Sequence, residues 1–135
     1  MTRLQRLYQR AEALGLQVYF FPMQARRGIS TPDGAIGMDP DRQENAAEEM
    51  VCLAHEMGHC MTGSFYTAET DLLQRLRCET RADRWAYCSL VPLEELRRLL
   101  EQGVTRPDEL AEHFGVTEAF LRDCLDYYKN AKNAI

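Results

Sequence analysis

The sequence holds no apolar run of the roughly 20 residues needed to cross a bilayer. Nor does its N-terminus carry an apolar segment followed by a cleavage site. A membrane anchor and an export signal are therefore not expected, and the chain reads as cytoplasmic. Positive charge is in the minority: 16 Lys and Arg stand against 21 Asp and Glu, a formal net charge of −5. Such a balance offers nucleic acid no global attraction. Arg3, Arg6 and Arg10 at helical spacing, with Arg26 and Arg27, come nearest to a basic patch and read as solvated surface. A disulfide framework is missing too, since Cys52, Cys60, Cys78, Cys88 and Cys124 are odd in number and irregularly spaced. Free thiols in a reducing compartment fit that usage better. There is no repeat and no low-complexity tract, and 135 residues suit a single domain spanning 1–135.

What the chain does contain is helical periodicity around a small strand-forming region. Leu4, Leu7, Tyr8, Ala11 and Leu14 form one buried stripe before Gly15 stops the first helix. The run "LQVYFF" (16–21) is rich in strand formers, and its imperfect alternation predicts partial burial on both faces. From Pro22 to Pro32 the chain is polar, ending in the turn signal "TPDG". The following "AIGMD" can pair with "QVYFF", giving a sheet of two or three strands in an otherwise helical α+β fold.

Residues 43–61 should form the central helix, with Ala47, Met50, Val51, Ala54, Met57, Gly58 and Met61 on its apolar face. Gly58 would permit close approach of a neighbouring backbone. A further helix begins near residue 69 or 74 and ends near 90, and Pro92 separates it from "LEELRRLLEQG". Residues 104–130 supply a C-terminal helical pair, packed on the domain and not a separate one, with Thr117 as an N-cap. The pair has the rhythm of a helix-turn-helix. Its second helix, however, sets Glu118, Asp123 and Asp126 against Arg122 alone, the wrong electrostatics for a recognition helix. Leu110, Phe114, Val116, Phe120, Leu121 and Leu125 read as core, and His113 as surface.

The chemistry concentrates in "CLAHEMGHC" (52–60). Residues four apart on a helix lie on one side, roughly 6 Å from each other, so His55 and His59 can place two imidazoles on one ion. Neutral imidazole suits zinc, and a catalytic zinc site takes three protein ligands and leaves one position open. Glu56, beside the first histidine, is the candidate catalytic base. The third ligand is best sought in "CETRADRWA" (78–86), where Glu79 follows His59 by 20 residues, enough for a loop and a reversal. Asp83, one turn on, is placed to accept from the other nitrogen of a ligand histidine. Two readings compete with this one. The histidines and Glu56 of an ordinary surface helix would carry the same letters, and Cys52, Cys60 or Cys78 could close a structural site of two His and two Cys.

"HEMGHC", "TGSFY" and "ETRADRWAYCSLVP" together resemble the ImmA/IrrE family of zinc metallopeptidases, specifically its short members from prophages and mobile elements of Gram-positive bacteria. The likeness runs from about Tyr19 to Tyr128. It implies a minimal zincin of gluzincin type, with Zn2+ held by His55, His59 and Glu79 and with Glu56 as base. It also implies that Asp83 orients a ligand histidine, that Trp85 and Ala86 are packing positions, and that Leu90 to Pro92 end the helix. The implied substrate is a protein, a helix-turn-helix repressor of the element, with no direct contact to nucleic acid or membrane. Tyr66 in "TGSFY" is either a donor to the developing oxyanion or a ring packed over its loop. The "AIGMD" strand is expected to align an extended substrate by main-chain pairing. A metal-stabilised adaptor or anti-repressor without proteolysis is the alternative function.

Overall fold

A computed structural model describes residues 1–135. Helix α1 (Arg3–Ala13) opens with a capping box, in which Thr2 accepts from the Gln5 amide and the Gln5 side chain accepts from the Thr2 amide. Leu7 and Ala11 are buried on its inner face. Leu14, expected in that stripe, is the C-cap and stands 39% exposed, because the helix has already ended.

Strands β1 (Gln17–Phe20), β2 (Gly28–Ser30) and β3 (Ala35–Met38) form one sheet in the order β1-β3-β2. β1 runs parallel to β3, with Gln17 opposite Ala35 and Phe20 opposite Met38; β2 runs antiparallel, with Gly28 opposite Met38 and Ser30 opposite Ile36. Two expectations are corrected here. The "AIGMD" strand is the centre of the sheet, paired on both sides, and so has no free edge to offer an extended chain. The "LQVYFF" strand is an edge, with Tyr19, Phe20 and Phe21 exposed, because a sheet this small has too little structure on its outer side to bury both faces. Phe21 instead folds over Gly37, where a Cβ would meet its ring at 2.7 Å.

A 3-10 turn (Pro40–Arg42) and the N-cap Asn45 lead into α2 (Ala46–Thr62), which closes at Gly63 in the left-handed region with φ 64°. Its inner face is Met50, Leu53, Ala54 and Met57, the i, i+3, i+4, i+7 pattern of an amphipathic helix. Leu53 is fully buried, whereas Met61, assigned to that face from sequence, is 41% exposed at the last turn. Helix α3 (Leu72–Leu90), capped by Asp71, runs back along α2. The two backbones touch: a Cβ on Gly58 would lie 2.4 Å from the Ala82 carbonyl oxygen.

Helices α4 (Leu93–Glu101), α5 (Pro107–Phe114) and α6 (Glu118–Asp126) complete the chain, followed by a π turn (Tyr127–Ala131). α5 and α6 pack on each other, and α6 packs on α3. Leu96, Leu110, Phe114, Leu121 and Cys124 are fully buried, joining the same core as α1, α2 and the sheet. Tyr128 donates its hydroxyl to the Val91 carbonyl at 2.7 Å, tying the tail to the end of α3. No helix is long and apolar enough to cross a membrane.

Candidate active site

The site is built where α2 and α3 cross. Helical spacing brings His55 and His59 to one side of α2, and each ring is fixed by its Nδ1. His55 Nδ1 lies 2.8 Å from Asp83 Oδ1 on α3, and His59 Nδ1 lies 2.5 Å from the Ser64 carbonyl just past the end of its own helix. A carboxylate and a carbonyl can only accept, so each Nδ1 carries the hydrogen. Both Nε2 atoms then present lone pairs, yet they face each other 3.1 Å apart. Glu79 adds its carboxylate, with Oε2 2.8 Å from His55 Nε2 and Oε1 3.3 Å from His59 Nε2.

Facing lone pairs beside a carboxylate require positive charge between them. A tetrahedral cation with bonds of about 2 Å needs donor atoms about 3.3 Å apart, and the observed spacings are close to that. The donor atoms of His55, His59 and Glu79 all lie within 4.8 Å of one another, so the residues present fit a divalent cation. Without one, a proton takes the role. Burial disfavours a charged His55 ring, but the hydrogen bond and charge of Asp83, with the charges of Glu56 and Glu79, outweigh burial and raise its pKa to about 9. Glu79 is shifted the other way: burial would raise it, and the Tyr66 hydrogen bond with the two imidazoles brings it below the usual value.

Glu56 sits between the cluster and the sheet with only 9% of its surface exposed. Ser30, on β2, donates its hydroxyl to Glu56 Oε1 at 2.7 Å. Room for the carboxylate comes from Gly28, where a Cβ would stand 3.2 Å from Glu56 Cγ and 2.8 Å from Cys52 Sγ. β2 thus both admits Glu56 and fixes one of its oxygens. These groups line a cleft of about 550 Å³ whose rim includes Arg26, Phe65 and Tyr66.

Tyr66 donates its hydroxyl to Glu79 Oε1 at 2.7 Å while its ring is 41% exposed. That hydrogen bond, then burial and the charge of Glu79, raise its pKa. The phenol is therefore held at the Glu79 carboxylate. The thiols stay outside the cluster. Cys60 donates to the Thr31 carbonyl at 3.8 Å and Cys78 to that of Phe65 at 3.7 Å. Burial, with the charge of Glu56, pushes the Cys52 and Cys60 thiols up to about 11. His113 on α5 pairs with Glu95 on α4 at 2.9 Å, apart from this site.

Two contributors escaped the sequence reading. Ser30 belongs to a three-residue strand within a polar stretch, too short to show alternation. The Ser64 carbonyl is a backbone atom, which no side-chain motif reveals. The only available sign was the glycine and serine of "RRGIS" spaced two apart, which on a strand point to the same face.

No curated protein matches the chain. Residues 11–125 match the family Peptidase_M78, described as the IrrE N-terminal-like domain, a span reaching from the end of α1 nearly to the end of α6. With that match and its cluster of two imidazoles and a carboxylate, the chain belongs to this family and is a metallo-endopeptidase.

Proposed function

We propose that the chain is a zinc-dependent endopeptidase of gluzincin type that cleaves a protein, a helix-turn-helix repressor of a prophage or mobile element. His55 and His59, through Nε2, and Glu79 would hold the ion. When bound, the ion supplies Lewis acidity, which makes water nucleophilic at neutral pH and polarises a peptide carbonyl. Asp83 and the Ser64 carbonyl keep both imidazoles in the tautomer that leaves Nε2 free. Glu56, with Oε1 held by Ser30, keeps Oε2 as acceptor; it takes the proton of the attacking water and delivers it to the leaving amine. Tyr66 exchanges Glu79 for the substrate oxygen as negative charge develops there.

The free edge beside the cleft belongs to β2, not to the central strand. Gly28 and Ser30 line the cleft from that edge, and an extended substrate pairing with it would lie across Glu56. The repressor as substrate rests on the resemblance to mobile-element members of the family.

The observation that carries the reading is Glu56 itself, a carboxylate buried next to the ligand set and gripped on one oxygen by Ser30. A metal strut in an adaptor has no use for it. The test is Glu56→Gln, assayed with the co-encoded repressor as substrate. Bound zinc should stay at wild-type level while cleavage is lost; full cleavage by the variant, or loss of its zinc, overturns the assignment.

A further inference from the structure

Three arginines bring positive charge to the cleft and its Tyr66, and two of them are engaged. Arg27, on the cleft wall, is ion-paired with Glu48 on α2. Arg75 donates to the Thr70 and Ala68 carbonyls at 2.7 and 2.8 Å. Arg26 also lines the cleft, but it is exposed and makes neither a hydrogen bond nor an ion pair with its side chain. Its charge is felt inside: the Tyr66 hydroxyl, raised chiefly by its hydrogen bond to Glu79, is drawn part of the way back by Arg26 and Arg75. One guanidinium at the cleft is thus without a partner.

Arg26 also stands in line with the strand edge that a substrate would use. The Asp39 amide donates to the Arg27 carbonyl at 3.0 Å and the Thr31 amide to the Ala35 carbonyl at 2.9 Å. Arg27 and Thr31 therefore turn main-chain groups toward the β3 side. In an antiparallel pair that direction alternates residue by residue, so Gly28 and Ser30 turn their N–H and C=O groups to the free edge. These are the two residues that flank Glu56. Counting back by the same step of two reaches Arg26. We infer that Arg26 is a specificity determinant, selecting an Asp or Glu side chain of the substrate on one side of the bond to be cut. This rests on the peptidase reading of the same cleft.

The spacing makes the inference specific. At about 3.3 Å per extended residue, Arg26 lies up to about 7 Å along the edge from Gly28 and about 13 Å from Ser30. A substrate strand paired with that edge advances by the same step, so the side chain that meets Arg26 is about two to four residues from the scissile bond. A carboxylate there gives the guanidinium its first partner, whereas Lys or Arg sets like charges against each other. Water and salt screen an ion pair at so open a rim, which keeps the preference modest.

The test uses the zinc-loaded protein and a library of randomised synthetic peptides, with cut sites read by mass spectrometry. Wild type, Arg26→Glu, Arg26→Gln and Glu56→Gln are compared, with circular dichroism and zinc content as controls on folding. The expected result for wild type is enrichment of Asp and Glu by about three- to fivefold, on one side of the cut, fading as salt is raised. In Arg26→Glu the enrichment should pass to Lys and Arg at the same positions, an exchange that lost packing alone would not produce. Arg26→Gln should show neither preference. An acidic preference unchanged in both Arg26 variants, or wild-type cuts with no bias of charge, overturns the proposal and leaves the peptidase reading intact. Cuts held at a fixed distance from peptide C-termini, whatever the side chains, would mean that Arg26 grips a terminal carboxylate, and the proposal fails. A wild type that cuts no more than Glu56→Gln overturns both.

Discussion

Ser30 Oγ and Glu56 Oε1 are 2.7 Å apart, joining the edge strand of the sheet to the helix that carries both histidines. The bond crosses between elements, so it fixes the carboxylate relative to β2 as well as to the two histidines. Replacing Ser30 with Ala should leave zinc content unchanged and lower kcat about ten- to hundredfold, the loss expected for one hydrogen bond to a charged group. Ser30→Thr keeps the hydroxyl and should restore most of the rate. Equal losses in both variants would mean that the strand, not the hydroxyl, matters.

Asp83 holds the His55 ring from behind at 2.8 Å. Asp83→Ala frees the ring to rotate, and zinc affinity measured by competition with a chromogenic chelator should fall about ten- to hundredfold. Unchanged affinity would remove Asp83 from the support of the site.

A His55 pKa of about 9 means that the metal-free protein carries an extra proton at neutral pH. A cation taken up by the cluster must displace it. Calorimetry at pH 7 in buffers of different ionisation heat should report about one proton released per ion bound, and affinity should rise about tenfold per pH unit until roughly pH 9. The stability of the metal-free fold follows the opposite sense. Because the folded pKa lies above the ordinary 6.5, the ring's contribution is complete below pH 6.5 and is lost as pH rises through 9. Thermal melts of the metal-free protein at pH 6 and pH 10 test the direction.

Gly58→Ala places a methyl 2.4 Å from the Ala82 carbonyl oxygen, a backbone atom that cannot swing aside. The two helices must separate. A destabilisation of about 3 kcal/mol or more is expected, read as a fall in melting temperature of roughly 10 °C. Because Glu79 rides on the helix pushed away, zinc affinity should fall with it.

The features that were legible in sequence depend on local geometry. His55 and His59 follow from helical period alone, and Glu79 needs only a short loop and a second helix to return to them. The close approach at Gly58 was readable because a glycine inside an apolar helix face has few other uses. What failed was non-local. Strand order depends on "GIS" pairing outside "AIGMD", and three residues in a polar segment give no alternation by which to see them. The exposure of Tyr19 and Phe20 follows from that order, not from their own composition. On α2 the inner face includes Leu53 at mid-helix, while Met61, in the last turn, extends past the elements that bury the rest of that face. Ser30 was invisible for the same reason as its strand.

His55, His59, Glu79 and the aspartate behind them fall between residues 55 and 83, within one helical hairpin. Closing so short a loop carries a small entropic cost, and contacts of low sequence separation form fast. The four side chains thus come together on a unit to which α4, α5 and α6 contribute no residue, so substitutions in the tail reach the cluster only through the shared core.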